Sequence, residues 1–343
     1  MPRRLHHIDT LKVVASNLIV LHHFTAYGPL ADALDLAAPR LTDWFYEYAR
    51  MAVQIFLVIG GYFAASALAP HGTLQHKQPW RLVLNRYFRL VPPLAVALLL
   101  VGLSGTAVAP WLPAAFFPVA PTLKQVFAHL TLLNGVLGFD SLSIGIWYVA
   151  IDFQLFLLLT ILMALGGLQA RWLVGVGLVA SLLYFNLHEG GDNWAPYFFG
   201  AYGMGSVAWW AGHSQHPGKW LLALMATGIA ALMWDFRIRL GLALVTALIL
   251  GFARWRQHTR PSSDIRRGPH GDIVRLLGRS AYALFLTHFA VWILANGLWV
   301  WLDWSFIGSA MALALLAWLV CLGVGIGFER YVERPLAHLR ITA

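Results

Sequence analysis

The sequence predicts an all-α fold, a polytopic bundle of about ten transmembrane helices that forms one domain over residues 1–343. The composition supports this, because 59% of the residues are apolar and only 11% are charged, whereas soluble domains carry roughly 25% charged residues. Hydrophobic runs long enough to cross ~30 Å of hydrocarbon recur along the whole chain. The basic residues are also divided unequally between the two sides of such a bundle.

Each hydrophobic run defines one predicted span. The spans are residues 11–30, 50–69, 91–110, 145–166, 171–187, 195–212, 219–235, 238–253, 279–300 and 305–328. The first run resembles a signal peptide, but its length and the polar residues Asn17, His22 and His23 favour a retained span. Residues 122–139 are broken by polar positions such as Lys124, so an interfacial or re-entrant helix is predicted there instead of an eleventh span.

The positions of the positive charges predict the orientation of the bundle. With ten spans and a cytoplasmic N-terminus, the C-terminus is cytoplasmic too, and 19 of the 24 basic residues fall on the cytoplasmic side. The exceptions are Arg40, Arg50, Lys124, Arg237 and Arg239. An eleventh span would invert the later loops and remove this asymmetry.

The net charge of +9 is explained by short loops between the spans, which indicates contact with membrane lipids and argues against a nucleic-acid partner. The longest polar segment, residues 254–279, is predicted to be a basic cytoplasmic loop that sets topology or attracts an anionic ligand. The single cysteine, Cys321, excludes an internal disulfide and a cysteine-rich metal site, and no metal is expected. Gly323, Gly325 and Gly327 are predicted to allow close helix packing.

Three ionisable residues fall where lipid is expected, and such residues are default functional candidates because a charge at bilayer depth costs at least ~2.5–3.5 kcal/mol. At 1.5 Å per residue, His23 lies ~16 Å above the cytoplasmic end of its span and Asp152 ~10 Å below the outer surface. These depths are similar, so the two side chains are predicted to form a hydrogen-bonded pair. His288 lies ~14 Å from the cytoplasmic end. Alternatively, each residue is simply satisfied by a neighbouring helix.

A basic cluster stands at the predicted cytoplasmic mouth of the third span. Arg86 and Arg89 are three residues apart and share a helix face, so they are predicted to clamp a phosphate with forked donors. The alternative is that these arginines only anchor the helix on the positive side of the membrane.

Six segments at these positions resemble the acyltransferase-3 family of membrane-bound O-acyltransferases, in the same order along the chain. They are residues 7–12 with His23, 53–62, 86–92, 146–154, 280–288 and 331–335. The sequence departs from the family pattern at four positions. Lys12 replaces arginine, Asn85 stands where the first arginine of a pair is expected, Asp152 replaces glutamate and Gly60 replaces serine.

The resemblance implies transfer of an acyl group, most often acetyl, from cytoplasmic acyl-CoA to a hydroxyl of an extracytoplasmic carbohydrate or glycolipid. It also implies location in a bacterial inner membrane. Acyl-CoA is then a co-substrate, with no permanently bound cofactor. The acceptor hydroxyl must lose a proton, and His23 is the candidate general base, with Asp152 as its partner and His288 as an assistant.

The remaining site candidates follow from the charges and dipoles of the substrates. Lys12, Arg86 and Arg89 are predicted to bind the phosphates of the donor. Trp147 or Tyr148 is predicted to contact substrate and stabilise the oxyanion. The rival hypothesis is a proton-coupled transporter or flippase for a glycan or lipid precursor, which would use the same buried groups as a proton relay.

Overall fold

A computed structural model describes residues 6–118, 121–188, 190–259, 269–304 and 307–338. Every regular element in these ranges is a helix, which confirms the predicted all-α class. The α-helices are α1 (His6–Ala26), α2 (Pro29–Ala37), α3 (Pro39–Tyr48), α4 (Val53–Leu68), α5 (Pro79–Val108), α6 (Leu123–Leu130), α7 (Ile146–Gly166), α8 (Ala170–Leu183), α9 (Ala195–His213), α10 (Pro217–Trp234), α11 (Ile238–Thr259), α12 (Pro269–Leu302), α13 (Ile307–Phe328) and α14 (Arg334–Leu336). A π-helical turn, Glu329–Glu333, joins α13 to α14.

Seven segments of the described chain have the length and hydropathy of a membrane span. They are Pro39–Leu68, Pro79–Val108, Ile146–Leu187, Pro217–Trp234, Ile238–Gln257, Gly271–Leu302 and Gly308–Leu336. The predicted count of ten is therefore not confirmed, and the cytoplasmic position of both ends stays a prediction. The difference has two sources: α1 and α9 are not among the seven, and α7 and α8 count as one segment although they are two packed helices.

Helix α9 lies at the centre of one half of the bundle, where it packs against α4, α7, α8, α10 and α11. Most of its residues are buried. Glycines allow the close contact with α4, since a Cβ atom on Gly61 would collide with the carbonyl oxygen of Tyr202, and one on Gly205 with that of Val58. Small residues let helix backbones approach in this way inside a membrane, where packing drives association.

The other half of the bundle is organised around α12, which packs against α1, α5 and α13. Phe24 of α1 stacks on Trp292 of α12 with ring centroids 3.9 Å apart. Of the three glycines predicted to allow close packing, only Gly325 does so, because a Cβ atom there would lie 3.0 Å from the backbone of Leu284. Cys321 is fully buried, as expected of a small apolar side chain.

Residues 122–139 do not form a span, as predicted. Helix α6 has only 8 residues, or ~12 Å at 1.5 Å per residue. Turns follow it and return the chain to the start of α7. The buried His129 fixes this return, because its Nδ1–H donates to the Gln125 carbonyl at 2.8 Å and its Nε2 accepts from the Leu142 N–H at 3.0 Å.

Several helices begin earlier or end later than the hydrophobic runs indicate, because helical hydrogen bonding continues beyond the apolar residues. Helix α5 begins at Pro79 rather than near residue 91, so Arg86 and Arg89 lie on the helix itself. Most of the described part of the predicted loop 254–279 is also helical, in α11 and α12. Residues 260–268 of that predicted loop lie outside the described residues.

Candidate functional site

A cavity of about 700 Å³ lies where α1 ends and α7 begins. Its wall combines α1 with the loop before α7, the start of α7 and two phenylalanines of α12. The polar and aromatic lining residues include His22, His23, Arg50, Ser143, Trp147 and Tyr148. In the predicted orientation this cavity is at the extracytoplasmic end of the bundle.

The geometry around His23 and His288 fixes the proton positions on both neutral rings. His288 Nδ1 lies 2.7 Å from the Phe285 carbonyl oxygen, which can only accept a hydrogen bond, so this nitrogen carries a proton. The other ring nitrogen, Nε2, is then an acceptor. His23 Nδ1 lies 2.7 Å from it and therefore donates. The rings are nearly coplanar, with 10° between their planes.

The consequence of this chain of hydrogen bonds is that Nε2 of His23 has a free lone pair. His23 is only 7% exposed and His288 is fully buried, yet the His23 ring borders the cavity. A neutral imidazole whose tautomer is fixed by a second group, and whose other nitrogen faces a cavity, has the arrangement of a general base.

The predicted pairing of His23 with Asp152 is wrong. Asp152 Oδ2 instead accepts from two nitrogens of Arg86, Nη2 at 2.5 Å and Nε at 3.1 Å. The side chains of Arg86 and Asp152 are 22% and 5% exposed, so this is a largely buried ion pair. The helical rise per residue predicted the depth of His23 and Asp152 in the membrane. It did not predict which neighbouring helix each side chain faces, because that depends on tertiary packing.

The predicted phosphate clamp of Arg86 and Arg89 stays a prediction, but the two side chains have different surroundings. Arg86 points into the bundle towards Asp152, whereas Arg89 is exposed near the start of α5. Neutralisation by a carboxylate leaves Arg86 poorly suited to hold a second anion. Arg89 keeps its exposed position.

Lys12 and Arg89, both predicted to bind the donor, come together around Glu333. The Glu333 carboxylate lies within electrostatic range of both cations. The ammonium of Lys12 also lies over the ring of Phe63, 5.4 Å from its centroid. These residues belong to the first part of α1, the first part of α5 and the end of the π-helical turn, so they form a charged cluster at the end of the bundle opposite the cavity.

Trp147 and Tyr148, predicted to contact substrate, both line the cavity. Tyr148 precedes Asp152 by one helical turn, so it lies between the cavity and the buried ion pair. The residue that caps α7, Gly145, has a positive φ of 85°. A side chain at Gly145 would press on Phe285, its Cβ lying 2.9 Å from the ring, and would approach His23. Glycine therefore allows the chain to pass close to the base.

Sequence reasoning missed two residues of this arrangement. His22 had no predicted role at the site, but its ring lines the cavity, and its centroid lies 5.2 Å from that of His23 and 5.8 Å from that of Tyr46. Glu333 had no predicted role, although it belongs to one of the family-like segments and is the carboxylate between two basic candidates. Only the packing of α13 against α12 and of the π-helical turn against α5 brings Glu333 to them.

Gly60, where the family pattern has serine, is explained by its neighbours in the structure. A Cβ atom there would lie 3.0 Å from the ring of Tyr202 and 3.2 Å from Oδ1 of Asp152. The Tyr202 ring therefore occupies space that a serine side chain would need. The Tyr202 hydroxyl is buried and has no hydrogen-bond partner within the described residues.

Comparison with known proteins gives one match. A family model described as an acyltransferase domain, that of acyltransferase family 3, matches residues 5–326, nearly the whole chain. No curated protein and no solved structure matches the chain.

Proposed function

The chain belongs to the acyltransferase-3 family, and from that premise we propose that it moves an acyl group, most often acetyl, from acyl-CoA to a hydroxyl group. The donor comes from the cytoplasm, and the acceptor is an extracytoplasmic carbohydrate or glycolipid. The membrane is the inner membrane of a bacterium. The observation that carries the proposal is the free Nε2 of His23 in a cavity of about 700 Å³, with its tautomer held by His288.

The reaction needs one base that later acts as an acid. The acceptor hydroxyl gives its proton to Nε2 of His23 while its oxygen bonds to the thioester carbonyl carbon. The C–S bond then breaks, and the thiolate of coenzyme A takes the same proton from His23. A transient acyl-histidine would use the same nitrogen in two displacements. His288 does not touch substrate in this scheme; it positions His23.

The oxyanion that develops on the thioester carbonyl requires a hydrogen-bond donor. Trp147 and Tyr148 border the same cavity as His23, and each carries one N–H or O–H donor at the end of a rigid ring. Their aromatic faces also suit the apolar face of a sugar ring. We therefore propose that both contact substrate, with one of them donating to the oxyanion.

Donor binding is proposed for Lys12 and Arg89, because they lie at the end of the bundle opposite the cavity and coenzyme A carries several phosphate charges. Arg86 is assigned a different role from Arg89. Its guanidinium is held by Asp152, so the pair acts as a unit inside the bundle, and Asp152 has Arg86 rather than His23 as its partner.

Two substitutions test the proposal in protein purified into lipid nanodiscs, with radiolabelled acetyl-CoA and a membrane extract as the source of acceptor. His23→Ala should abolish label transfer while the protein still inserts and purifies normally, and the exposed His188 provides the control as His188→Ala. Retained transfer in His23→Ala would remove His23 from the mechanism. Arg89→Ala should raise KM for acetyl-CoA, whereas Arg330→Ala, an exposed arginine on the π-helical turn, should not.

The alternative function is a proton-coupled transporter or flippase for a glycan or lipid precursor. Its support is the buried Arg86–Asp152 pair, because intramembrane charges also mark transport paths. The same assay separates the two functions. Covalent transfer of label to the acceptor is required of an acyltransferase, whereas a transporter would move an unlabelled precursor and leave the acetyl group on coenzyme A.

A further inference from the structure

The π-helical turn Glu329–Glu333 follows α13 and packs against α5, α12 and α13. Single π-helical turns are rare and occur frequently at functional sites. This turn carries two glutamates, and its last three residues fall in the family-like segment 331–335.

The two glutamates have different surroundings. Glu329 is held by two arginines, since its Oε1 accepts from Arg279 Nη2 at 3.1 Å and from Arg334 Nε at 2.8 Å. The side chain of Glu333 is different, because its Oε2 is buried and has no hydrogen-bond partner within the described residues. Glu329 therefore fixes the turn in place, whereas the Glu333 carboxylate is not fixed by a partner.

The Glu333 carboxylate is nevertheless surrounded by positive charge. Arg89, Lys12 and Arg279 all lie within electrostatic range of it. Glu333 therefore offsets part of the charge of Arg89 and Lys12, and Arg279 also forms an ion pair with Glu329. Arg89 is exposed, so a dissolved anion can reach this cluster. A carboxylate that is near two cations but bonded to neither lowers their attraction for an incoming anion without blocking them.

We infer that Glu333 is a displaceable counter-ion of the donor site, which weakens the binding of coenzyme A phosphates to Lys12 and Arg89. The inference rests on the proposed function, because it takes acyl-CoA as the ligand of this cluster. Without donor, Glu333 offsets part of the positive charge. With donor, a phosphate takes over the interaction with the cations and the carboxylate loses their favourable field. Such a residue keeps the affinity for coenzyme A low enough for the product to leave after each transfer.

Glu333→Gln tests the inference because glutamine has nearly the same shape and no charge. Coenzyme A is titrated into the purified full-length protein in nanodiscs and the heat of binding is measured. Removal of one charge near a partly exposed phosphate site should tighten the binding of coenzyme A about 3- to 10-fold, the size expected for one charge–charge interaction at intermediate dielectric. The gain should shrink as salt is added, because screening weakens it.

A double-mutant cycle distinguishes charge competition from a structural effect. In an Arg89→Ala background the Glu333→Gln substitution should tighten binding much less, because the cation that Glu333 offsets is gone. Glu47→Gln is the matched control: it removes one charge from an exposed carboxylate on α3, away from the cluster, so it should leave the binding of coenzyme A unchanged.

The outcomes separate this inference from the proposed function. Equal or weaker binding of coenzyme A by Glu333→Gln, with normal binding by the unmodified protein, overturns the role of Glu333 and leaves the donor assignment intact. No binding by the unmodified protein overturns both. Glu333→Ala is the second variant, with the same expected direction. If neither variant gives folded protein, Glu333 is a structural residue and the inference is wrong.

Discussion

Replacement of His288 by leucine tests the chain of hydrogen bonds that orients His23. His288 Nε2 accepts from His23 Nδ1 at 2.7 Å, and leucine has no acceptor to offer. The His23 N–H would then be buried without a partner, since the residue is only 7% exposed. Glutamine is the matched variant, because its Oε1 lies close to the position of the imidazole Nε2 and can accept the same hydrogen bond.

The size of the effect follows from the group left unpaired. A buried donor without an acceptor costs about 1–3 kcal/mol, and His23 avoids this cost by moving its proton to Nε2 or rotating its ring. Either change removes the lone pair from the cavity. At 1.36 kcal/mol per tenfold change in rate, kcat should fall about 5- to 150-fold in His288→Leu. His288→Gln should lose less than tenfold.

The assay is label transfer from radiolabelled acetyl-CoA to a membrane extract, with kcat and KM determined for each variant in nanodiscs. The KM for acetyl-CoA should stay within twofold of the unmodified protein, because His288 is fully buried and lies away from the donor cluster. A His288→Leu variant with unchanged kcat would refute the reasoning. So would equal losses in the leucine and glutamine variants, since the acceptor atom would then be irrelevant.

Three further predictions concern stability. Asp152→Asn leaves Arg86 without its counter-ion in a largely buried site, so the free energy of unfolding should fall by about 3 kcal/mol. Replacing both members of the pair, Asp152 by leucine and Arg86 by methionine, should lower the free energy of unfolding by less. Equal losses of the two variants in thermal unfolding would contradict this. Gly61→Ala should destabilise by about 3 kcal/mol, because the new Cβ meets a backbone carbonyl that cannot move aside, whereas Gly102→Ala, which points into open space, should leave Tm unchanged or raised. Burial lowers the pKa of His129 below its ordinary 6.5, against the opposing effect of its backbone hydrogen bond, so folding favours the neutral ring. The contribution of neutral His129 to the free energy of unfolding is complete above pH 6.5 and is lost as the pH falls from there towards the lowered pKa. Amide hydrogen exchange in the loop after α6 should speed up in that pH window, and it should not do so in His129→Gln.

Much of the fold was predictable from the pattern of apolar residues. Nearly every predicted span corresponds to a helix in the structure, because hydrophobic length and charge asymmetry are properties of consecutive residues. The limits of the helices were less predictable. Helix α5 starts at Pro79, well before its apolar run, because proline at the first position begins a helix whatever the hydropathy of the next turn.

Several of the predicted site residues lie together in the structure, but the partner of each one was not predictable. One cavity is lined by His23, Trp147 and Tyr148. His288 lies behind this lining and is hydrogen-bonded to His23. His22 was not expected there. Adjacent helix positions point ~100° apart, but the cavity is wide enough for both His22 and His23 to line it.

The sequence by itself determined that the chain is an all-helical membrane protein of the acyltransferase-3 family, and it identified the polar residues that hydrocarbon cannot accommodate. Tertiary structure alone decided which partner each of them has: His23 has His288, Asp152 has Arg86, and Glu333 lies within electrostatic range of Lys12 and Arg89. The physical reason is that the rise of a helix gives the depth of every residue from sequence alone. The direction of each side chain has meaning only once the neighbouring helices are in place.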